Sequence, residues 1–243
     1  MGELYDRIGR TYTATRREDP RLAAAIDAAL GEAHTIVNVG AGTGAYEPAG
    51  RDVLAVEPSA VMRAHRSHDA APAIDARAEA LPFPDRGFDA SMAVLSDHHW
   101  DDRAGGLREM RRVAARAVVF TWDPQYVDAF WLTRDYLPGF RRLHGMDIED
   151  VALHLGAGRI EPMPLAADWQ DGFLMAYWRR PEAYLDATVR AGISVFGVLP
   201  EAEVAEFVAA LRRDLASGAW ARRNAGLLDL DELDLGFRLV IAD

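Results

Sequence analysis

Two short stretches hold the residue types that do chemistry. The first is Gly40-Ala-Gly-Thr-Gly44, which directly follows the apolar, β-branched run Thr35 to Val39. A glycine-rich turn between a strand and a helix lets the backbone approach a ligand closely and aims helix N-terminal amides at its polar atoms. The second is Ser96-Asp-His-His-Trp-Asp-Asp102, placed after the run Phe88 to Leu95. An imidazole suits proton transfer near neutral pH, which singles out His98 and His99 as candidate catalytic groups, with Trp100 beside them to pack on a substrate. Asp97 and Asp101 add metal-ligand types to this stretch. Neighbouring His residues in a loop can point apart, however, and no paired ligand spacing recurs elsewhere, so no metal is expected. Glu57 ends a further short apolar run, and an ionised carboxylate accepts from two vicinal hydroxyls at once.

The elements that must position these residues read as alternating strands and helices. Asp19 caps a helix opened by Pro20, with Leu22, Ile26 and Leu30 on one face and Gly31 as its stop. Val53 to Val56 is a second strand, and Ser59 caps a helix with Val61 and Met62. Ala73 to Asp75, Phe88 to Leu95 and Val118 to Thr121 follow as strands, with a helix opened by Asp101 and Asp102 that carries Leu107, Met110 and Val113. This alternation predicts a parallel, doubly wound α/β sheet, whose ligands sit at the carboxyl ends of the strands. After Asp123 the pattern changes to aromatic-rich helical segments. Residues 124–236 are expected to form a mostly helical cap with one sheet strand near 160–169, and Phe237 to Ala242 reads as a final strand.

The chain has 243 residues and 50% hydrophobic content, enough for one sizeable core with an insertion. Its 38 acidic against 27 basic residues, all of them arginine, leave a net charge of −11. Such a surface repels phosphate backbones, so nucleic acid is a poor substrate. The absence of cysteine excludes disulfides and thiolate chemistry, and no apolar stretch is long enough to span a bilayer. A cytoplasmic location without membrane attachment is the expectation.

The turn does not have dinucleotide spacing, because Ala45 stands where G-x-G-x-x-G places its third glycine. It is similar instead to the class I S-adenosylmethionine (SAM) dependent methyltransferases, in particular the methyltransferase type 11 group related to ubiquinone and menaquinone methyltransferases. The resemblance covers roughly residues 35 to 122. It rests on Val37-Asn-Val-Gly-Ala-Gly-Thr-Gly44, Val56-Glu-Pro-Ser59, Ala78-Glu-Ala-Leu-Pro-Phe-Pro-Asp85 with Phe88-Asp89, and Arg108-Glu-Met-Arg-Arg-Val113, in that order. It implies a Rossmann-like, mainly parallel seven-stranded sheet with a helical cap inserted after the fifth strand. It also implies SAM as cofactor, S-adenosylhomocysteine (SAH) as product, and in-line SN2 methyl transfer to a small-molecule acceptor.

The cofactor residues that the resemblance implies are Asn38, Gly40, Ala41, Gly42, Thr43 and Gly44 in the turn, and Glu57 with Pro58 at the ribose. Met62 and Leu81 sandwich the adenine, with Ala78 and Glu79 at its polar edge, although a Met at a helical position is also ordinary core. Two positions depart from the family pattern. Asn38 replaces an acid, so the cofactor's ammonium must meet another acid or bind more weakly, and Arg77 stands where an Asp precedes Ala78, which leaves Glu79 as the acidic neighbour. Residues 1–18, with Tyr5 and Tyr12, read either as a lid over the cofactor, with Arg16 meeting its carboxylate, or as a helix packed on the sheet edge. Tyr126 and Trp131 are candidates to wall the acceptor. O-methylation is slightly favoured over N- or C-methylation because of the His pair. A SAM-binding enzyme catalysing rearrangement or cyclisation, and a non-catalytic nucleotide-binding module, are the alternatives.

Overall fold

The run Thr35–Val39 forms the central strand β1, and its apolar, β-branched character, broken only by Asn38, follows from cover on both faces. The computed structural model describes residues 16–143 and 145–243. β2 (Asp52–Val56) and β4 (Phe88–Val94) run parallel to β1 on either side, and β3 (Ala73–Ile74) and β5 (Ala114–Trp122) extend the sheet outward. β9 (Phe237–Ala242) runs antiparallel beside β5, and β6 (Arg159–Pro162), antiparallel to β9 and so parallel to the other strands, forms the edge. In the resulting order β3-β2-β1-β4-β5-β9-β6, the winding reverses between β1 and β4, and open α/β sheets bind ligands in that crevice.

Alternate strand residues feed two cores. On one face Ile36, Met92, Phe120 and Leu239 meet Leu22, Ile26 and Leu30 of α1 (Pro20–Leu30). On the other, Val37, Ala93, Val119 and Val240 meet Leu107, Met110 and Val113 of α3 (Arg103–Val113). The helix starts follow their caps: Asp19 accepts from Arg21 N, Ser59 from Met62 N at the start of α2 (Ala60–Ala64), and Asp102 from Gly105 N.

The region after β5 differs from expectation in two ways. The stretch near 160–169 divides: residues 159–162 join the sheet, whereas β7 (Leu165–Ala166) pairs with β8 (Glu232–Leu233) in a separate ribbon. Of the helical segments, α5 (Ile148–Leu155) is a crossover helix, burying Ile148, Val151 and Leu155 against α3 and β9. The remaining short helices, including α4 (Trp131–Asp135), α6 (Ala187–Ala191), α7 (Glu201–Ala216) and α8 (Ala219–Arg223), surround an aromatic core on the face that α1 covers. Among the described residues no helix is long and apolar enough to cross a membrane.

Candidate functional site

The glycine turn leaves β1 with Gly40, Gly42 and Gly44 all at positive φ (68°, 53° and 98°), a region open to glycine at little cost. Its amides are tied down: Gly40 N and Ala41 N donate to Val56 O, and Gly42 N donates to Glu57 Oε2 at 2.8 Å. Glu57 Oε1 accepts from Ser59 N at 2.8 Å, so the carboxylate is fixed in plane with lone pairs remaining on both oxygens. Burial raises its carboxyl above the ordinary range, against the lowering effect of those two amides and of Arg63 and Arg66.

Neighbouring side chains press against the turn where its own side chains are missing. A Cβ on Gly42 would lie 3.3 Å from Met62 Cε, and one on Gly40 would lie 2.8 Å from Ser96 Oγ and 3.2 Å from Trp100 Nε1. Met62, Ala78 and Leu81 are buried around the same cleft. Glu79 Oε1 accepts from Asp101 N at 2.8 Å, which anchors it to the loop before α3. These residues fit the chemistry of an adenosyl cofactor: a buried strand-end carboxylate for hydroxyls, apolar Met62 and Leu81 for a flat base, and a glycine turn that brings the backbone close.

Trp100 is seated between two glycines, because a Cβ on Gly106 would fall 2.4 Å from its ring. Gly106→Ala gains helix propensity, but a rigid ring must move, and overpacking of this kind costs roughly 1–3 kcal/mol. The expected result is a lowered melting temperature and roughly tenfold weaker SAH binding by calorimetry. A variant with unchanged affinity would show that the ring does not shape the cleft.

Beyond β4 the chain turns sharply at Leu95 (φ 50°), Ser96 Oγ donates to Val39 O at 3.0 Å, and Asp97 is fully buried. Arg103 grips Asp97 Oδ2 through Nε at 2.9 Å and Nη2 at 2.6 Å, and Nη2 also donates to Thr121 Oγ1 at 3.1 Å. Burial alone would push the Asp97 carboxyl up, but neighbouring His98 and Arg103 outweigh it and hold the group at about 2. His98 Nδ1 lies 3.8 Å from Asp97 Oδ1, within charge attraction but beyond hydrogen-bonding distance. The His98 and His99 rings are 3.9 Å apart between centroids. Burial, with His98 adding to it, holds the His99 imidazole well below its ordinary value and therefore neutral at neutral pH.

That neutrality has a consequence for stability. Below about pH 6.5 the unfolded chain protonates His99 and the folded chain does not, so stability falls with pH by up to about 1.4 kcal/mol per unit. Asp97 works in the same direction lower down: its contribution is present above about pH 4 and is lost as pH falls toward its folded value. Urea unfolding midpoints at pH 7.5, 6.5 and 5.5, compared with those of His99→Gln, test the first effect. A mutant as acid-sensitive as the wild type would refute it.

Both histidines line a cavity of about 320 Å³ between the carboxyl edge of the sheet and the segments after β5. Arg16, Arg103 and Thr121 line it too, and its walls include Trp122, Phe140, Phe173, Met175 and Phe237. Arg16 faces this cavity, but its guanidinium is held by the protein's own carboxylate, Asp171, at 2.5 and 3.1 Å. Tyr5 and Tyr12 lie outside the described residues.

None of the three expected acceptor-wall residues lines this cavity. Trp100 packs between Gly40 and Gly106, beside the glycine turn. Tyr126 stacks beneath the Arg238 guanidinium at 4.6 Å, because Asp123 caps a tight turn over Pro124–Asp128 that leaves Pro124 facing the cavity instead. Trp131 is fully buried, donates to Trp178 O at 2.7 Å and packs edge-on against Trp220 and Tyr184, as a core residue.

Several residues at the site had no sequence signal. Asn38 donates to Glu47 Oε1 at 3.2 Å, and Glu47 is ion-paired at 2.6 Å with Arg66, whose Nη1 donates to Gly42 O. A buried ion pair therefore sits behind the position where the family acid is missing. Tyr46 at φ 65° accepts from Asp19 N and donates to Asp171 Oδ2, both at 3.0 Å, which links the glycine turn to the loop that holds Arg16. Asp97 and Arg103 lie six residues apart on a loop and a helix, a spacing without meaning until the turn at Leu95 brings them together.

A family model described as a methyltransferase domain matches residues 37–120. A candidate methyltransferase from an antibiotic biosynthesis pathway of Anabaena variabilis is similar over 94% of this chain and 99% of its own, at 34% identity and TM-score 0.87. A SAM-dependent methyltransferase of Thermotoga maritima shares the fold over 68% of this chain and 86% of its own, at 21% identity and TM-score 0.55. The geranyl diphosphate C-methyltransferase of Streptomyces coelicolor, solved with SAH, does so over 92% and 78%, at 18% identity and TM-score 0.50. No curated protein matches the chain. The glycine turn, the buried Glu57 carboxylate at the end of β2, the sheet order and the full-length similarity agree, and the chain belongs to the class I SAM-dependent methyltransferases.

Proposed function

We propose that this methyltransferase acts on a hydroxyl oxygen of a small molecule, with His99 as general base and His98 orienting it. The observation that carries this reading is a half-buried imidazole on the wall of an apolar cavity, at the carboxyl end of β4, where desolvation keeps it neutral. Bound SAM supplies an electrophilic methyl group, so the protein must hold an acceptor in line with it, exclude water and remove a proton. Glu57 and the glycine turn hold the ribose and methionine ends, Met62 and Leu81 the adenine, and Ala78 and Glu79 its edge. The acceptor hydroxyl gives its proton to His99 as its oxygen bonds to the methyl carbon. The electrons of the breaking carbon–sulfur bond stay on sulfur, so charge balances as imidazolium plus thioether.

The test is incubation with SAM and a panel of hydroxyl, amine and carbon acceptors, read by mass spectrometry. A methyl ether as the principal product supports the reading. N- or C-methylated products refute O-transfer, and a converted substrate of unchanged mass points to rearrangement or cyclisation.

A further inference from the structure

We propose that the cavity lined by His98, His99 and Arg103 is the acceptor site and selects compact, uncharged phenols of one or two rings, rejecting carboxylated or phosphorylated molecules of the same size. This rests on the O-methylation reading above and narrows it to a substrate class.

Size and lining set the body of the ligand. A volume of about 320 Å³ stands at the lower end of the range for small-molecule sites. Two ring pairs face into it, Phe173 with Phe237 at 4.7 Å and Trp122 with Phe140 at 5.5 Å. Met175 and Ile193 add apolar wall, and no acidic residue is among the lining residues described. Flat aromatic ligands suit such walls, because tilted and edge-on ring contacts add to the area buried.

Charge sets the head of the ligand. Two arginines line the cavity, which at first sight invites an anion. Each is already neutralised: Arg16 by Asp171 and Arg103 by Asp97, with both carboxylates 1% exposed or less. Arg103 further donates to Thr121 and to Met146 O. An incoming carboxylate would lose its water, compete with a buried carboxylate already in place and add a second buried negative charge. A neutral hydroxyl has none of these costs. The weak basicity of His99 points the same way, since a phenol near pKa 10 yields its proton far more readily than an alkyl alcohol, which is closer to water at about 15.7.

The test uses SAH-saturated protein titrated calorimetrically with naphthol and naphthoic acid, which share a ring system and differ in charge. Naphthol is expected to bind at least about tenfold more tightly. In Asp97→Asn, which uncovers the Arg103 charge, this preference shrinks or reverses. A second variant, Ile193→Trp, fills the cavity from a peripheral segment and is expected to abolish naphthol binding with SAH affinity intact. Equal or tighter binding of naphthoate to the wild type, or naphthol binding that survives Ile193→Trp, would overturn the assignment. Selective naphthol binding without any methyl ether would instead leave the site standing and remove the O-transfer reading.

Discussion

His99→Ala is expected to lower kcat by about a hundredfold to ten-thousandfold while leaving the SAH dissociation constant unchanged. The size follows from what a positioned base supplies, and the selectivity from where His99 stands, on the acceptor cavity and off the glycine turn. Its pH behaviour is part of the same expectation. Because burial holds the imidazole well below its ordinary value, the acid limb of the wild-type kcat/KM profile should lie clearly below pH 6.5, with a plateau through neutrality. His98→Ala separates the two roles: if His98 only orients its neighbour, it costs less than His99→Ala and shifts the acid limb toward higher pH, since the His98 charge is one cause of the depression. Initial rates across pH for both variants decide this. A fully active His99→Ala enzyme would leave the acceptor to lose its proton unaided.

Glu57→Ala is expected to weaken SAM and SAH binding by roughly a hundredfold or more, since hydrogen bonds to a charged acceptor contribute about 1.5–3 kcal/mol each and the role proposed for Glu57 serves two ribose hydroxyls. The protein should also lose stability, because Gly42 N and Ser59 N would each lose the acceptor now 2.8 Å away. Glu57→Gln is the sharper variant. Both oxygens accept from backbone amides, so a carboxamide must turn its NH₂ toward one of those N–H groups, donor against donor. Glutamine is therefore expected to behave nearly as badly as alanine, although it keeps the shape. Calorimetric titration with SAH, alongside melting temperatures, checks both variants. Retained affinity in Glu57→Gln would show that shape alone serves the ribose.

The fold was legible because each of its signals is local. The mainly apolar runs Thr35–Val39 and Phe88–Val94 announce strands covered on both faces, and Asp19, Ser59 and Asp102 cap the helices they precede. The glycine turn and Glu57 were legible for the same reason, as positive φ and a strand-end carboxylate are properties of single positions. Beyond β5 the signals weakened. Trp131, Tyr126 and Trp100 are large and amphipathic, so composition alone cannot tell a cavity wall from a core, and all three stand away from the cavity lining. The aromatic segment after Asp123 likewise concealed a crossover helix, because the apolar face of Ile148–Leu155 suits a sheet as well as a cap.

The sequence by itself therefore determined the strand and helix order, the glycine turn and the strand-end carboxylate beside it, and the position of the His pair at a strand end. Only the tertiary structure decided which imidazole is desolvated enough to stay neutral, that Asp97 and Asp171 cancel the charges of Arg103 and Arg16, and which rings line the cavity. The division has a physical cause. Capping, backbone conformation and hydrophobic period are set within a few residues, whereas burial, ion pairing and cavity shape arise between segments as far apart as Arg16 and Asp171, which no local pattern encodes.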